Sequence, residues 1–289
     1  MSNYQIITDS SCDFTKQQYH DLGLIYAPLT LLYRGQVHDS FTEEAELKSF
    51  YDGIRAGEMP TTSAVNPDGW ANIMEPALAE GKDVLCLAFT SGLSTTYQSA
   101  VIAANELREK YPERTINVVD TLCAALGQGL LVWHACKRRD EGYSLAELTA
   151  WCEENKLHLA HWVTVDDLNH LKRGGRVSAT TAFVGGMLNI KPIIHVSDEG
   201  KLDTVAKMRG RKAAMEYLAS KVAEDGEDYD NETVFIAHGD CPEDAKALET
   251  LVRAKCPWVK NVVIGYVGGV IGAHTGPGVL VVFFLGKQR

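Results

Sequence analysis

The run from residue 83 to 89, Asp-Val-Leu-Cys-Leu-Ala-Phe, reads as a strand with no polar alternation, so neither of its faces can meet water. Residues 4–8 and 115–119 are similar short strands, and the stretches between them have helical spacing. Thr15 and Gln18 form a capping-box pair before a short helix that Gly23 stops. Thr42 is placed to cap the next helix, whose Leu47, Phe50, Tyr51 and Ile54 share one face. Asn66 as N-cap and Pro67 at the first helical position open a helix with Trp70, Ile73, Met74, Ala77 and Leu78 inward. A long helix ends before Pro112, another covers 122–140, and Ser144 with Glu147 caps a third. Apolar strands alternating with helices predict a parallel sheet covered on both faces.

The pattern changes near residue 158. A strand over 157–165 is followed by the loop Lys172-Arg-Gly-Gly-Arg176, and residues 190–197 and 202–207 flank the hairpin signal Asp198-Glu199-Gly200. Strands at 232–238, 259–266 and 279–285 and a helix over 242–255 complete a mixed pattern. The fold class expected is therefore two-domain α/β. An N-terminal parallel sheet flanked by helices (residues 1–157) precedes a C-terminal mixed-sheet α/β domain (158–289), a division the length of 289 residues allows. Residues 265–286 lack charged side chains, but 7 of these 22 are glycine and Pro277 interrupts them. The apolar stretch Val279–Leu285 suits a buried strand, so no stable membrane insertion is expected.

Charge and cysteine usage exclude several classes. The formal net charge of −10 disfavours a nucleic-acid partner, which requires a basic stripe. Seven scattered cysteines, none in a CxxC pair, read as buried free thiols in a reducing cytoplasm. The opening MSNYQIITDSS has neither a charged n-region nor an apolar h-region, so a secretory signal is not expected. His158 and His161 lie three apart in a predicted strand and point to opposite faces, one packed and one exposed, so no metal site is expected. Gly81-Lys82 lacks the rest of a phosphate-binding loop. The glycines at 268, 269 and 272 fit a dinucleotide loop poorly, because no helix is predicted after them.

Three hydroxyl-rich loops occupy or adjoin the carboxyl ends of predicted strands, where open α/β sheets bind ligands: Thr8–Ser11, Thr61–Ser63 and Thr90–Thr96. The third enters a helix, whose free N–H groups suit an anion, and Ser or Thr there also serves as an ordinary cap. Gly92-Leu93-Ser94-Thr95-Thr96 is a defective nucleophile elbow with Thr in place of the last Gly, which leaves a Ser94-dependent hydrolase as an alternative. Two basic clusters stand out. Lys172, Arg173 and Arg176 read as cations complementing a helix end, while Lys207, Arg209, Arg211 and Lys212 are predicted to open a helix, against its dipole, which points to an anion or an acidic partner. His274 falls in a predicted Gly-rich loop and is a candidate donor to an anionic headgroup.

In this order, Thr8-Asp9-Ser10-Ser11, Pro60-x-Thr62-Ser63, Thr90-Ser91-Gly92-Leu93-Ser94, Leu171-x-x-Gly174-Gly175-Arg176-Val177-Ser178, Lys191-Pro192, Arg209-Gly210 and His274-x-Gly276-Pro277-Gly278 resemble the DegV family of bacterial fatty-acid-binding proteins over the whole chain. The resemblance implies two α/β domains with a long-chain fatty acid such as palmitate (hexadecanoate) between them and no cofactor. It implies that Thr62 and Ser94 bond the carboxylate, that His274 completes the polar end, and that Ser63 and Thr95 are secondary contacts. It further implies a carrier rather than an enzyme, with a separate fatty-acid kinase that phosphorylates the bound acid and Arg209 serving that step. Ala64-Val65 stand where the family has Gln-Pro, and Thr95 where it has Gly, which bears on the width of the headgroup end.

Overall fold

The computed structural model describes residues 3–177, 189–226, 231–287 and 289. Ser178 of the resembling motif lies outside them. In chain order the first half contains β1 (Tyr4–Asp9), α1 (Lys16–Asp21), β2 (Ile25–Ala27), β3 (Thr30–Tyr33), β4 (Gln36–Asp39), α2 (Glu44–Arg55), β5 (Thr61–Ser63), α3 (Pro67–Ala79), β6 (Asp83–Ala88), α4 (Thr96–Lys110), β7 (Ile116–Asp120), α5 (Leu126–Asp140) and α6 (Leu145–Asn155). The second half contains β8 (Leu159–Thr164), α7 (Asn169–Arg173), β9 (Ile190–Val196), β10 (Leu202–Arg209), α8 (Arg211–Asp225), β11 (Thr233–His238), α9 (Pro242–Lys255), β12 (Asn261–Tyr266), α10 (Gly269–Thr275) and β13 (Leu280–Leu285).

The first sheet runs β2-β1-β6-β7 and all its pairings are parallel. Consecutive residues of β1 point to opposite faces and both are sealed: Ile6 joins one core cluster and Ile7 another. The second sheet runs β10-β9-β8-β13-β11-β12, antiparallel except for β11 with β12. The expected α/β class with one parallel and one mixed sheet is what forms. One face of each sheet meets the other's through α5, whose Leu130 and Leu131 share a cluster with Leu85 of β6 and Phe283 of β13. The far face of the second sheet is covered by α8 and α9. Among the described residues, no helix is long and apolar enough to cross a membrane.

The capping boxes at Thr15 and Ser144 and the Asn66 cap form as expected. The chain leaves the first sheet after Ala27, and Pro28-Leu29 carries it into a small antiparallel sheet, β4-β3-β5. Three local expectations need correction. The loop containing Thr61–Ser63 thereby becomes a strand, because β3 supplies its pairing partner. Thr42 does not cap α2, which starts after Glu43 with no side-chain cap bond. His274 lies not in a loop but in the last turn of α10. That helix forms despite its glycines because the first half holds its entry: Gly269 N donates to Phe41 O (2.9 Å), Val270 N to Ser40 Oγ (3.3 Å), and Tyr51 Oη to Val267 O (2.7 Å).

Candidate functional site

A cavity of about 460 Å³ lies between the carboxyl end of the first sheet and one face of the second. Its size is within the range typical of small-molecule pockets, about 300–1,000 Å³. The second sheet contributes an apolar wall through period-two geometry: Val163 of β8, Ile194 and Val196 of β9, and Val281 and Phe283 of β13 point into it. Opposite lie Leu29 after β2, Thr62 and Ser63 of β5, and Phe89, Ser91, Ser94 and Thr95 after β6. Val270, Ile271 and His274 of α10 close one side.

The expected carboxylate residues are positioned by different devices. Thr62 Oγ1 and His274 Nε2 are in direct contact at 2.7 Å. His274 packs so closely on Gly174 that a Cβ there would lie 2.3 Å from its Nδ1. Burial, with a smaller contribution from the Arg176 charge, pushes the His274 pKa down to about 4, so the imidazole is neutral at pH 7. Ser94 lines the same cavity but has no contact with this pair. Its Oγ accepts from Thr96 N (3.2 Å) and shares a proton with Thr96 Oγ1 (2.8 Å). Ser94 thus satisfies the first amide of α4, although the N-cap residue, Thr95, makes no side-chain cap bond, and the Ser94 hydroxyl still borders the cavity. Ser63 and Thr95 line the cavity with exposed side chains. His274 is bonded to Thr62, while Ser94 is bonded to Thr96.

Arg176 is the residue the sequence reading undervalued. It does not simply complement a helix end: it lines the cavity, donates to Gly174 O, and places its charge near His274. Its position two residues after Gly174 was the available signal, since that Gly-Gly turn brings α7 against α10. His161 also lines the cavity. It accepts from Ala124 N (3.2 Å) and bonds Leu159 O through Nδ1 (2.9 Å), and burial holds its pKa well below the ordinary imidazole range. It is a satisfied wall residue, and His158 is half-buried rather than exposed.

Two expectations fail in instructive ways. Thr8, Asp9, Ser10 and Ser11 are essentially fully buried and none lines the cavity. The second basic cluster does not open a helix, because Lys207 and Arg209 end β10 and only Arg211 and Lys212 enter α8. Arg211 is paired with Asp244 (2.8 Å) and Asp166 (3.8 Å), so its conflict with the helix dipole is answered locally. What sets Lys207 and Arg209 apart is register. Leu202 and Thr204 oppose Val196 and Ile194, on the cavity face. A shift between Thr204 and Ala206 then reverses the alternation, so Lys207 and Arg209 oppose Pro192 and Ile190 on that same face. Ala206 and Met208 pack instead toward α8. Arg209 itself does not line the cavity. It stands at the end of the sheet from which β8 leads through α7 to Arg176.

The sequence profile of the family described as "Uncharacterised protein, DegV family" matches residues 3–287. A DegV domain-containing protein of Clostridium perfringens is 45% identical over 290 residues, covering 100% of this chain and 99% of that one. The chain belongs to the DegV family. Among solved DegV structures, that of a Thermus thermophilus member described for its fatty acid binding has a TM-score of 0.85 at 31% identity, covering 97% of this chain and 98% of the other. DegV of Bacillus subtilis, described as a fatty acid binding protein, has a TM-score of 0.83 at 28% identity, covering 99% and 100%. In this DegV chain, the motifs that carry the resemblance fall mainly around the cavity, with Thr8–Ser11 buried behind its wall.

Proposed function

We propose that this protein is a carrier that binds a long-chain fatty acid such as palmitate and presents it to a separate fatty-acid kinase for acyl-phosphate formation. The observation that carries the reading is the cavity, an apolar sheet face opposed by hydroxyls, His274 and Arg176. Thr62, Ser94 and His274 would take the carboxylate, with the Arg176 guanidinium supplying the only charge near that pair among the cavity-lining residues, and Ser63 and Thr95 at the rim. Burying about 14 methylenes at ~0.8 kcal/mol each yields roughly 11 kcal/mol gross. Association costs of about 4–15 kcal/mol offset much of that, so enclosure of the chain sets affinity and the polar groups set orientation. The reading places the division between the two units at 157/158 with the ligand between them. Free, mostly buried cysteines support action in the cytoplasm. No cofactor is needed for binding.

Native mass spectrometry of freshly purified protein should show a retained acyl mass; repeated organic extracts without acyl species would overturn the carrier reading. Hydrolysis of a p-nitrophenyl ester that disappears in Ser94→Ala would replace it with a hydrolase. Arg209 is assigned to the partner step, since it faces the headgroup end without lining the cavity. Arg209→Ala should keep near-normal acyl affinity while acyl-phosphate formation by the kinase falls about tenfold, on the order of 1.4 kcal/mol in the barrier.

A further inference from the structure

The buried end of β1 and the residues after it reach the cavity indirectly. Asp9 Oδ2 accepts from Phe89 N (2.8 Å) and from Gln128 Nε2 (3.3 Å), and Asp9 Oδ1 accepts from Ser11 N (3.0 Å). Ser10 Oγ accepts from Leu29 N (2.9 Å). Leu29 and Phe89 are adjacent in this network and both side chains form cavity wall. Neither backbone lies in a strand of the first sheet: Leu29 sits in the link between β2 and β3, and Phe89 follows β6. Asp9 and Ser10 are thus the groups that hold these two amides. Gln128 anchors the carboxylate from α5, with further bonds from its Nε2 to Thr8 Oγ1 (3.1 Å) and Leu87 O (3.3 Å). Ser11 Oγ adjoins both Asp9 Oδ1 and Gln128 Oε1 (2.8 Å). Burial raises the Asp9 pKa, and the hydrogen bonds it accepts oppose that rise.

We propose that Asp9 and Ser10, braced by Gln128, are positioning residues that set the acyl-chain selectivity of the cavity by fixing the backbone of Leu29 and Phe89. The proposal rests on the fatty-acid reading and goes beyond it. A shift of either amide moves a wall side chain and changes how much chain the cavity encloses, leaving the carboxylate contacts in place. The test is the ratio of affinities for lauric, myristic, palmitic and stearic acid, measured by calorimetry on the full chain. Ser10→Ala should change the ratio between neighbouring members by about fourfold, the equivalent of one methylene at ~0.8 kcal/mol. Asp9→Ala should shift the ratios, and so should Asp9→Asn, whose amide NH2 must face either Phe89 N or Ser11 N and can accept from neither. If Asp9→Ala fails to fold, Ser10→Ala decides. Thr62→Ala serves as control, because loss of a headgroup contact lowers every affinity by the same factor. Unchanged ratios in Ser10→Ala overturn the proposal. Absence of binding by the wild-type protein to any of the four acids overturns the fatty-acid reading instead.

Discussion

The segments at the carboxyl ends of β1 and β6, neighbouring parallel strands, are both rich in hydroxyls, Thr8-Asp9-Ser10-Ser11 against Thr90-Ser91-Gly92-Leu93-Ser94-Thr95-Thr96. The first is fully buried and its side chains bond protein amides and carbonyls. The second divides: Thr90 and Thr96 are fully buried, while Ser91, Ser94 and Thr95 border the cavity. The difference comes from the surrounding chain. Gln128 of α5 and the β2–β3 link close over the first, whereas the turn at Glu199-Gly200 meets the second at Thr90, whose Oγ1 donates to Gly200 O (3.0 Å), and at Gly92, leaving Ser91, Ser94 and Thr95 on the cavity side. A hydroxyl can reach a ligand where it borders the cavity, as those of Thr62 and Ser94 do even with a protein partner, and not where it is sealed among protein groups.

Three measurements would break or sharpen this contrast. The largest effect is expected from pH at the cavity side. His274 has a folded pKa of about 4 against 6.5 for the ordinary imidazole, so the unfolded chain binds more protons between those values. The neutral ring's contribution is complete above pH 6.5 and is lost as pH falls toward 4, up to about 3 kcal/mol at 1.36 kcal/mol per pKa unit. Denaturant titrations of His274→Gln should show a correspondingly shallower loss across that window; identical slopes would mean that the ring does not titrate as its surroundings imply.

Next, Ser94→Ala and Thr62→Ala should each cost about 1.5–3 kcal/mol of fatty-acid affinity, the value of a hydrogen bond to a charged group, with unfolding midpoints nearly unchanged. Calorimetry that finds wild-type affinity in both would remove these hydroxyls from the site. The inner segment should respond the other way. Thr8→Val keeps the shape but takes the donor from Leu87 O and the acceptor from Gln128, so stability should fall by about 1–2 kcal/mol while acyl affinity holds. A variant that lost binding at unchanged stability would erase the distinction between the segments.

Much of this was legible in the sequence, for identifiable reasons. The helix over 242–255 forms to the residue because Pro242 and the apolar spacing act locally, and β13 forms within one residue of the expected 279–285 because its run is apolar throughout. The missed features depend on distant partners. β5 is only three residues long and exists because β3 pairs with it. α10 has four poor helix formers among its first six residues, counting Gly269, Val270, Ile271 and Gly272, and is held by Phe41, Ser40 and Tyr51 from more than 200 residues away. The candidate site followed the same division. Thr62 and His274 were named from motif order, but nothing local to either predicts that they touch, and the register shift that turns Lys207 and Arg209 has no sequence marker such as a glycine.

The place of β13 in the second sheet has a consequence for biosynthesis. Both β8 and β11 precede it in the chain, yet it lies between them and pairs with both. Until residues 280–285 leave the ribosome, those two strands present open apolar edges to solvent and to each other's copies on neighbouring nascent chains. The cavity wall formed by Val281 and Phe283 is absent for the same interval. A chain that has not yet extended through residues 280–285 therefore lacks the side of the cavity that β13 supplies.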